Sequence, residues 1–140
     1  MAKNKSLRIV IDTNLWISFI ISSKLDKLDS FLCQNKIKIV FSEELITELN
    51  KTITKPKLKK YFTDSSIEEM LLTFELFVDL VDVKIKVNAC RDPKDNFLLS
   101  LSKDGKANFL ITGDKDLLEL KSFGTTKIIT FTKFIEELKN

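Results

Sequence analysis

Leu7 to Ile11, "LRIVI", is apolar throughout except for Arg8, a pattern that predicts a short strand buried on both faces. Cap-type residues follow in Asp12-Thr13-Asn14, and Leu15 to Ile21 begins a helix whose spacing continues through Leu25, Leu28, Phe31 and Leu32. Ile37 to Phe41 repeats the strand pattern. Ser42 stands as the N-cap of a helix striped by Leu45, Ile46, Leu49 and Ile53. Pro56 interrupts that stripe, so a new short helix carrying several lysines is expected after it. Ile67, Met70, Leu71, Phe74 and Phe77 mark a longer helix, and Val81 to Val87 alternates as a strand does. Phe97, Leu98 and Leu101 read as helix, Asn108 to Ile111 as strand, and Leu117 to Leu120 as a short helix. Lys127 to Thr130 makes a last strand and Phe134 to Leu138 a last helix.

Strands and helices therefore alternate from end to end, with no repeat and no linker. The expected fold class is α/β. It is a three-layer sandwich with a central, mostly parallel sheet of four to five strands flanked by helices, a Rossmann-like arrangement in which residues 1–140 form one domain. Sites in such folds form beyond the carboxyl ends of the strands. Asp12 follows the first strand, Asp114 and Asp116 follow "NFLI", and Asp92 and Asp95 open the helix after Val81 to Val87. All of these acids point to one edge of the sheet.

Each acid also has a structural explanation. Asp12 can be a helix N-cap, and Asp92 is the natural cap of a helix whose first turn holds Pro93. Asp95 then sits where the helix dipole favours a negative charge, and Asp114 and Asp116 can be turn and first-turn residues. Glu48 lies just beside the apolar stripe of its helix, either on plain surface or on the rim of a cleft. Taken jointly these explanations are weaker. Two like charges about 4 Å apart repel by ~4 kcal/mol at an effective dielectric near 20. Such a cluster calls for raised pKa values or a bound cation.

Composition narrows the chemistry. The chain has 140 residues, 44% of them hydrophobic and 31% charged, which places it among ordinary globular domains rather than disordered or fibrous chains. No apolar run reaches the ~20 residues needed to cross a bilayer, and the start lacks a signal-peptide pattern, so no membrane association and a cytoplasmic location are expected. There is no histidine, which removes Ser-His-Asp and Cys-His catalysis and most zinc sites. Carboxylates as oxygen ligands suit Mg²⁺ or Mn²⁺, and activation of water by such an ion is the simplest chemistry left. Cys33 and Cys90 belong to no metal-ligand spacing and read as reduced, mostly buried thiols. Net charge is +3, with Lys51, Lys55, Lys57, Lys59 and Lys60 close together ahead of Tyr61 and Phe62, and Lys3, Lys5 and Arg8 in a second basic group. The lysine cluster suits sequence-independent attraction of phosphates, or is a solvated helix face.

These residues, in this order, resemble the PIN-domain family of metal-dependent ribonucleases. The likeness is to its small single-domain branch, the VapC-like toxins of toxin–antitoxin pairs, and it extends over essentially the whole chain. "IVIDTN" resembles the family's first motif, "SEELITELNKTI" the second, "CRDPKDNFLL" the third and "LITGDKDLL" the fourth. The resemblance implies that Asp12, Glu48, Asp95 and Asp114 are catalytic and hold one or two divalent ions, with Asp116 beside them. It casts Asn14 as a polar partner near the substrate, Asp92 as an auxiliary acid and Thr112 as a supporting hydroxyl. It further implies an RNA substrate drawn in by Lys55, Lys57, Lys59 and Lys60, a homodimer, and a separate antitoxin that blocks the cleft.

Three other readings compete. A receiver-type phosphoacceptor domain wants an acidic pair after the first strand, where "IDTN" has one acid. A phosphatase of the haloacid-dehalogenase type needs DxDx[TV] there, and "DTNLW" does not match it. A PIN-like RNA- or protein-binding module without activity fits the same residues, because intact acids permit catalysis without proving it.

Overall fold

The computed structural model describes residues 7–22, 30, 32–34, 37–63 and 65–139. Its sheet is built on β1 (Leu7–Ile11), β2 (Ile37–Phe41), β3 (Val78–Leu80), β4 (Phe109–Ile111), β5 (Ser122–Phe123) and β6 (Thr126–Ile129), in the order β3-β2-β1-β4-β6-β5. The first five neighbours in that order pair in parallel, and β5 alone runs antiparallel to β6. The helices are α1 (Thr13–Ile21), α2 (Glu43–Ile53), α3 (Ser66–Thr73), α4 (Pro93–Asp104), α5 (Lys115–Leu120) and α6 (Phe131–Lys139). The fold is the expected α/β class, a mostly parallel sheet flanked by helices. It has six strands rather than four or five, because a two-residue edge strand carries no period that sequence patterning can register. Gly124, at φ +60, turns the two-residue connection from β5 to β6, a conformation glycine adopts without a Cβ clash.

The two central strands explain the core. Ile9, Val10 and Ile11 of β1 and Ile39, Val40 and Phe41 of β2 are all buried, so both faces of the sheet are covered there. Trp16 of α1 stacks on Phe41 at 5.4 Å between centroids and lies 6.2 Å from Phe74, tying α1 to the end of β2 and to the turn after α3. Gly105, just past α4, has no room for a side chain, since a Cβ there would lie 2.5 Å from Val40 Cγ1. Helix α4 therefore packs close against β2. Among the described residues, no helix is long and apolar enough to cross a membrane.

Several expectations are corrected. The strand expected at Val81 to Val87 lies earlier, at Val78–Leu80. Residues 81–87 do alternate between half-buried and exposed, but beyond Val81, whose N–H donates to Phe41 O of β2 at 2.7 Å, their backbone is held by side chains of α4 instead of by a neighbouring strand. Asp104 Oδ2 accepts from the N–H of Lys84 and Ile85 at 2.6 and 2.9 Å, and Ser100 Oγ accepts from the N–H of Val87 at 3.0 Å. The helix expected through Phe77 ends at Thr73, and the stretch after Pro56 forms only a 3-10 turn at Lys59–Tyr61. Cys33 is exposed and Cys90 half-buried, both free thiols, so neither is a core residue. Arg8 is no free surface cation: its guanidinium donates to Gly105 O at 2.7 Å and pairs with Asp79 at 2.7 Å, joining β1, β3 and the end of α4. Leu25, Leu28, Phe31, Lys3 and Lys5 lie outside the described residues.

Candidate metal centre

The chain leaves β1 toward β2 and leaves β4 toward β6, in opposite directions along the sheet. A crevice opens where such connections diverge, outside the carboxyl ends of the two strands. Asp12 directly follows β1, and Thr112, Gly113 and Asp114 directly follow β4. The backbones of these two segments are joined, since Asp12 N–H donates to Ile111 O at 3.0 Å. The cleft here has a volume of about 430 Å³.

Asp12, Asn14, Glu48, Asp92, Asp95 and Asp114 all line this cleft. Four helices bring them there. Asp12 is the N-cap of α1, its Oδ1 accepting from Asn14 N–H at 3.2 Å. Glu48 projects from the middle of α2, whose start is capped by Ser42 accepting from Leu45 N–H at 3.1 Å. Asp92 caps α4 by accepting from Lys94 N–H at 2.9 Å, and Pro93 at the first helical position needs no hydrogen-bond acceptor. Asp95 follows in the first turn and is buried. Asp114 occupies the N-cap position of α5 without a side-chain capping bond, so its carboxylate is left to the cleft.

The structural readings of Asp12 and Asp92 as caps are correct, but they describe only part of each residue's surroundings. Asp12 Oδ2 accepts a second hydrogen bond, 2.6 Å long, from the hydroxyl of Thr112, which is fully buried behind the cleft. Thr112 Oγ1 in turn accepts from Asp114 N–H at 3.0 Å. One hydroxyl thus orients the acids that follow β1 and β4.

Asp95, Asp114 and Asp116 each offer a carboxylate oxygen, and the three oxygens lie within 4.8 Å of one another. Asp95 is buried, Asp114 half-buried and Asp116 exposed. Among the described residues no ion pair neutralises the cluster. Burial raises the Asp95 carboxyl to about 7, helped by a hydrogen bond of its protonated form with Asp114 and by the charges of Asp114, Asp92 and Asp12. The thiol of Cys90 is also raised, by burial and then by Asp95, Asp116, Asp114 and Asp92. An all-oxygen donor set with excess negative charge fits a hard divalent cation. These three acids are a candidate metal site, with Asp12 adjacent.

The lysines separate. Lys55 lines the cleft, whereas exposed Lys57, Lys59 and Lys60 do not. Lys59 borders a separate depression with Asn50, Ile53 and Phe62, and Lys60 lies 5.1 Å from the Tyr61 ring centroid. One cleft cation is absent from the sequence reading. Lys94, exposed in the first turn of α4, reaches across to pair with Glu48 at 3.1 Å. Its place between Pro93 and Asp95 puts it near the cleft, but no local signal says that α2 would meet it. Asn96 is a second residue that went unnoticed. Its side chain accepts from Ala89 and Cys90 N–H and donates to Cys90 O, fixing the loop that leads to Asp92.

A search of curated proteins gives no match. A family model described as PIN domain matches residues 8–116, from β1 into α5, a span that contains every acid named above. PIN domains are typically metal-dependent nucleases, with RNA the suggested substrate. With a match over most of its length, and an acidic cleft at the divergence of β1 and β4, the chain belongs to the PIN-domain family.

Proposed function

We infer that the protein is an endoribonuclease that hydrolyses RNA phosphodiesters with the help of Mg²⁺ or Mn²⁺. The observation that carries this reading is the convergence of Asp95, Asp114 and Asp116 within 4.8 Å, beside Asp12 and with no neutralising cation on the trio among the described ion pairs. Asp12, Asp95, Asp114 and Asp116 would hold one or two ions, with Glu48 available from the facing helix. A divalent cation bound there lowers the pKa of water and offsets charge that builds on the phosphodiester oxygens. The chain's own residues supply the rest. Thr112 keeps the Asp12 carboxylate in one orientation through its 2.6 Å bond. Asp92 and Pro93 start α4 so that Asp95 faces the cleft. Asn14, exposed at the cleft wall, is suited to donate to a phosphate or base. Lys55 offers an ammonium to the backbone on its way in, and Lys57, Lys59 and Lys60 add a more distant field that attracts RNA and weakens with salt.

The resemblance of the four motifs to the VapC-like branch supports a narrower reading. In it the protein is the toxin of a toxin–antitoxin pair, acts in the cytoplasm, forms a homodimer, and is silenced by an antitoxin seated over the cleft. Residues 1–140 are then one PIN domain. The pairing of β6 with β4 supports including the part beyond residue 116.

The deciding experiment is cleavage of single-stranded RNA by the purified protein and by Asp114→Asn. The parent should cut only with Mg²⁺ or Mn²⁺, and the variant should not cut. Equal cleavage in EDTA would overturn the metal-dependent reading. A parent that binds RNA but never cuts it would favour a binding module.

A further inference from the structure

Glu48 and Lys94 are the one ion pair among the described residues that spans the cleft walls. Glu48 sits on α2 with its side chain 32% exposed, and Lys94 on α4 with its side chain 66% exposed. Glu48 lines the cleft and yet is not part of the Asp95, Asp114, Asp116 trio. Its Oε1 lies instead 3.1 Å from the Lys94 ammonium. The backbone of Lys94 is anchored. Its N–H is bonded to Asp92 Oδ1, and the neighbouring Asp95 is buried in the trio.

We propose that Lys94 is a positioning residue that acts as a removable counter-ion for Glu48: it holds this carboxylate at the cleft wall until a divalent cation competes for it. The inference rests on the cation-site reading given above. Two features favour exchange over a fixed strut. The pair is open to solvent, where such bridges are weak, and a divalent ion offers Glu48 twice the charge of an ammonium. The flexible four-carbon stem of lysine also lets the ammonium swing away once it is released.

Calorimetric titration with Mn²⁺ tests this without any turnover. Lys94→Gln should bind Mn²⁺ about two- to fivefold more tightly than the parent, the range set by an exposed ion pair. Lys94→Arg, which keeps the pair, should bind like the parent. In a Glu48→Gln background the gain from Lys94→Gln should disappear, because no carboxylate is left to release. A Lys94→Gln protein that binds no tighter overturns the proposal. So does a gain of equal size in the Glu48→Gln background, which would mean only that a positive charge had been removed from the neighbourhood. A parent that takes up no Mn²⁺ overturns this proposal and the metal-dependent reading together, whereas the first two results leave that reading standing.

Discussion

The hydroxyl of Thr112 donates a 2.6 Å hydrogen bond to Asp12 Oδ2, joining residues one hundred positions apart at the ends of neighbouring strands. Thr112 Oγ1 in turn accepts from Asp114 N–H at 3.0 Å. The residue that follows β4 therefore controls the acid that follows β1, and the two strands share one polar hub at the mouth of the crevice.

Thr112→Val should expose the importance of that hub. The isosteric methyl leaves the Asp12 oxygen and the Asp114 N–H without their partner. Metal affinity and RNA cleavage should fall by about 10- to 100-fold, as is usual when a group supporting a metal ligand is lost. Stability should fall by about 1–3 kcal/mol for the unsatisfied buried groups. Thr112→Ser should recover most of both. Mn²⁺ titration and thermal denaturation check the pair of expectations, and an active, tightly binding Val variant would remove Thr112 from the site.

Asp95 has a pH signature. Its carboxyl is raised from 3.8 to about 7 in the folded protein, so the folded state holds that proton more tightly than the unfolded chain. Its contribution is fully present below pH 3.8 and is lost as pH rises through about 7. Metal-free protein should therefore lose stability across that window, and Asp95→Asn should flatten the loss. At pH 8 in EDTA the variant should melt a few degrees higher, on the order of 1 kcal/mol. Melting curves from pH 5 to 8 measure it, and parallel curves for parent and variant would refute it. Added Mn²⁺ should reverse the order, by stabilising the parent more than the variant.

Asp104 has the opposite sign. Hydrogen bonds from Ile85 and Lys84 N–H hold its carboxyl below the ordinary value of 3.8. Its contribution is present above that value and is lost as pH falls through the lower folded pKa. Asp104→Ala should loosen residues 81–87 and admit protease cleavage there at neutral pH, while the cleft acids stay in place. Limited proteolysis reads this directly, and a cleavage pattern like the parent's would show that Ser100 and the bond from Val81 N–H to Phe41 O suffice to hold the segment.

The lysines should not contribute equally. Lys55→Ala should weaken single-stranded RNA binding and reduce the slope of log affinity against log salt by about 0.7, one phosphate contact. Lys57→Ala, Lys59→Ala and Lys60→Ala should each change it less, because those side chains lie outside the cleft. Equal effects from all four would route the RNA along the outer surface of the 3-10 turn.

Much of this was legible in the chain. Ile9 to Ile11 and Ile37 to Phe41 announced buried parallel strands, Ser42 and Asp92 announced helix starts, and the acids fell after strands where an α/β fold collects its ligands. Residues 81–87 misled for a definable reason. Alternation reports which side chains are covered, and a helix's Asp104 and Ser100 can hold an extended backbone as well as a strand can.

The sequence by itself determined the succession of elements, the acidic character of one sheet edge and the absence of histidine chemistry, because these depend on residue type and local period. Only the tertiary structure decided which acids meet. Strand order places β4 beside β1, and so Thr112 beside Asp12, while the approach of α4 to α2 gives Glu48 to Lys94 and leaves Asp95, Asp114 and Asp116 together. Local periodicity fixes where a side chain points on its own element. Which side chain faces it across a cleft depends on how separate elements pack, and residues distant in sequence carry no local mark of that meeting.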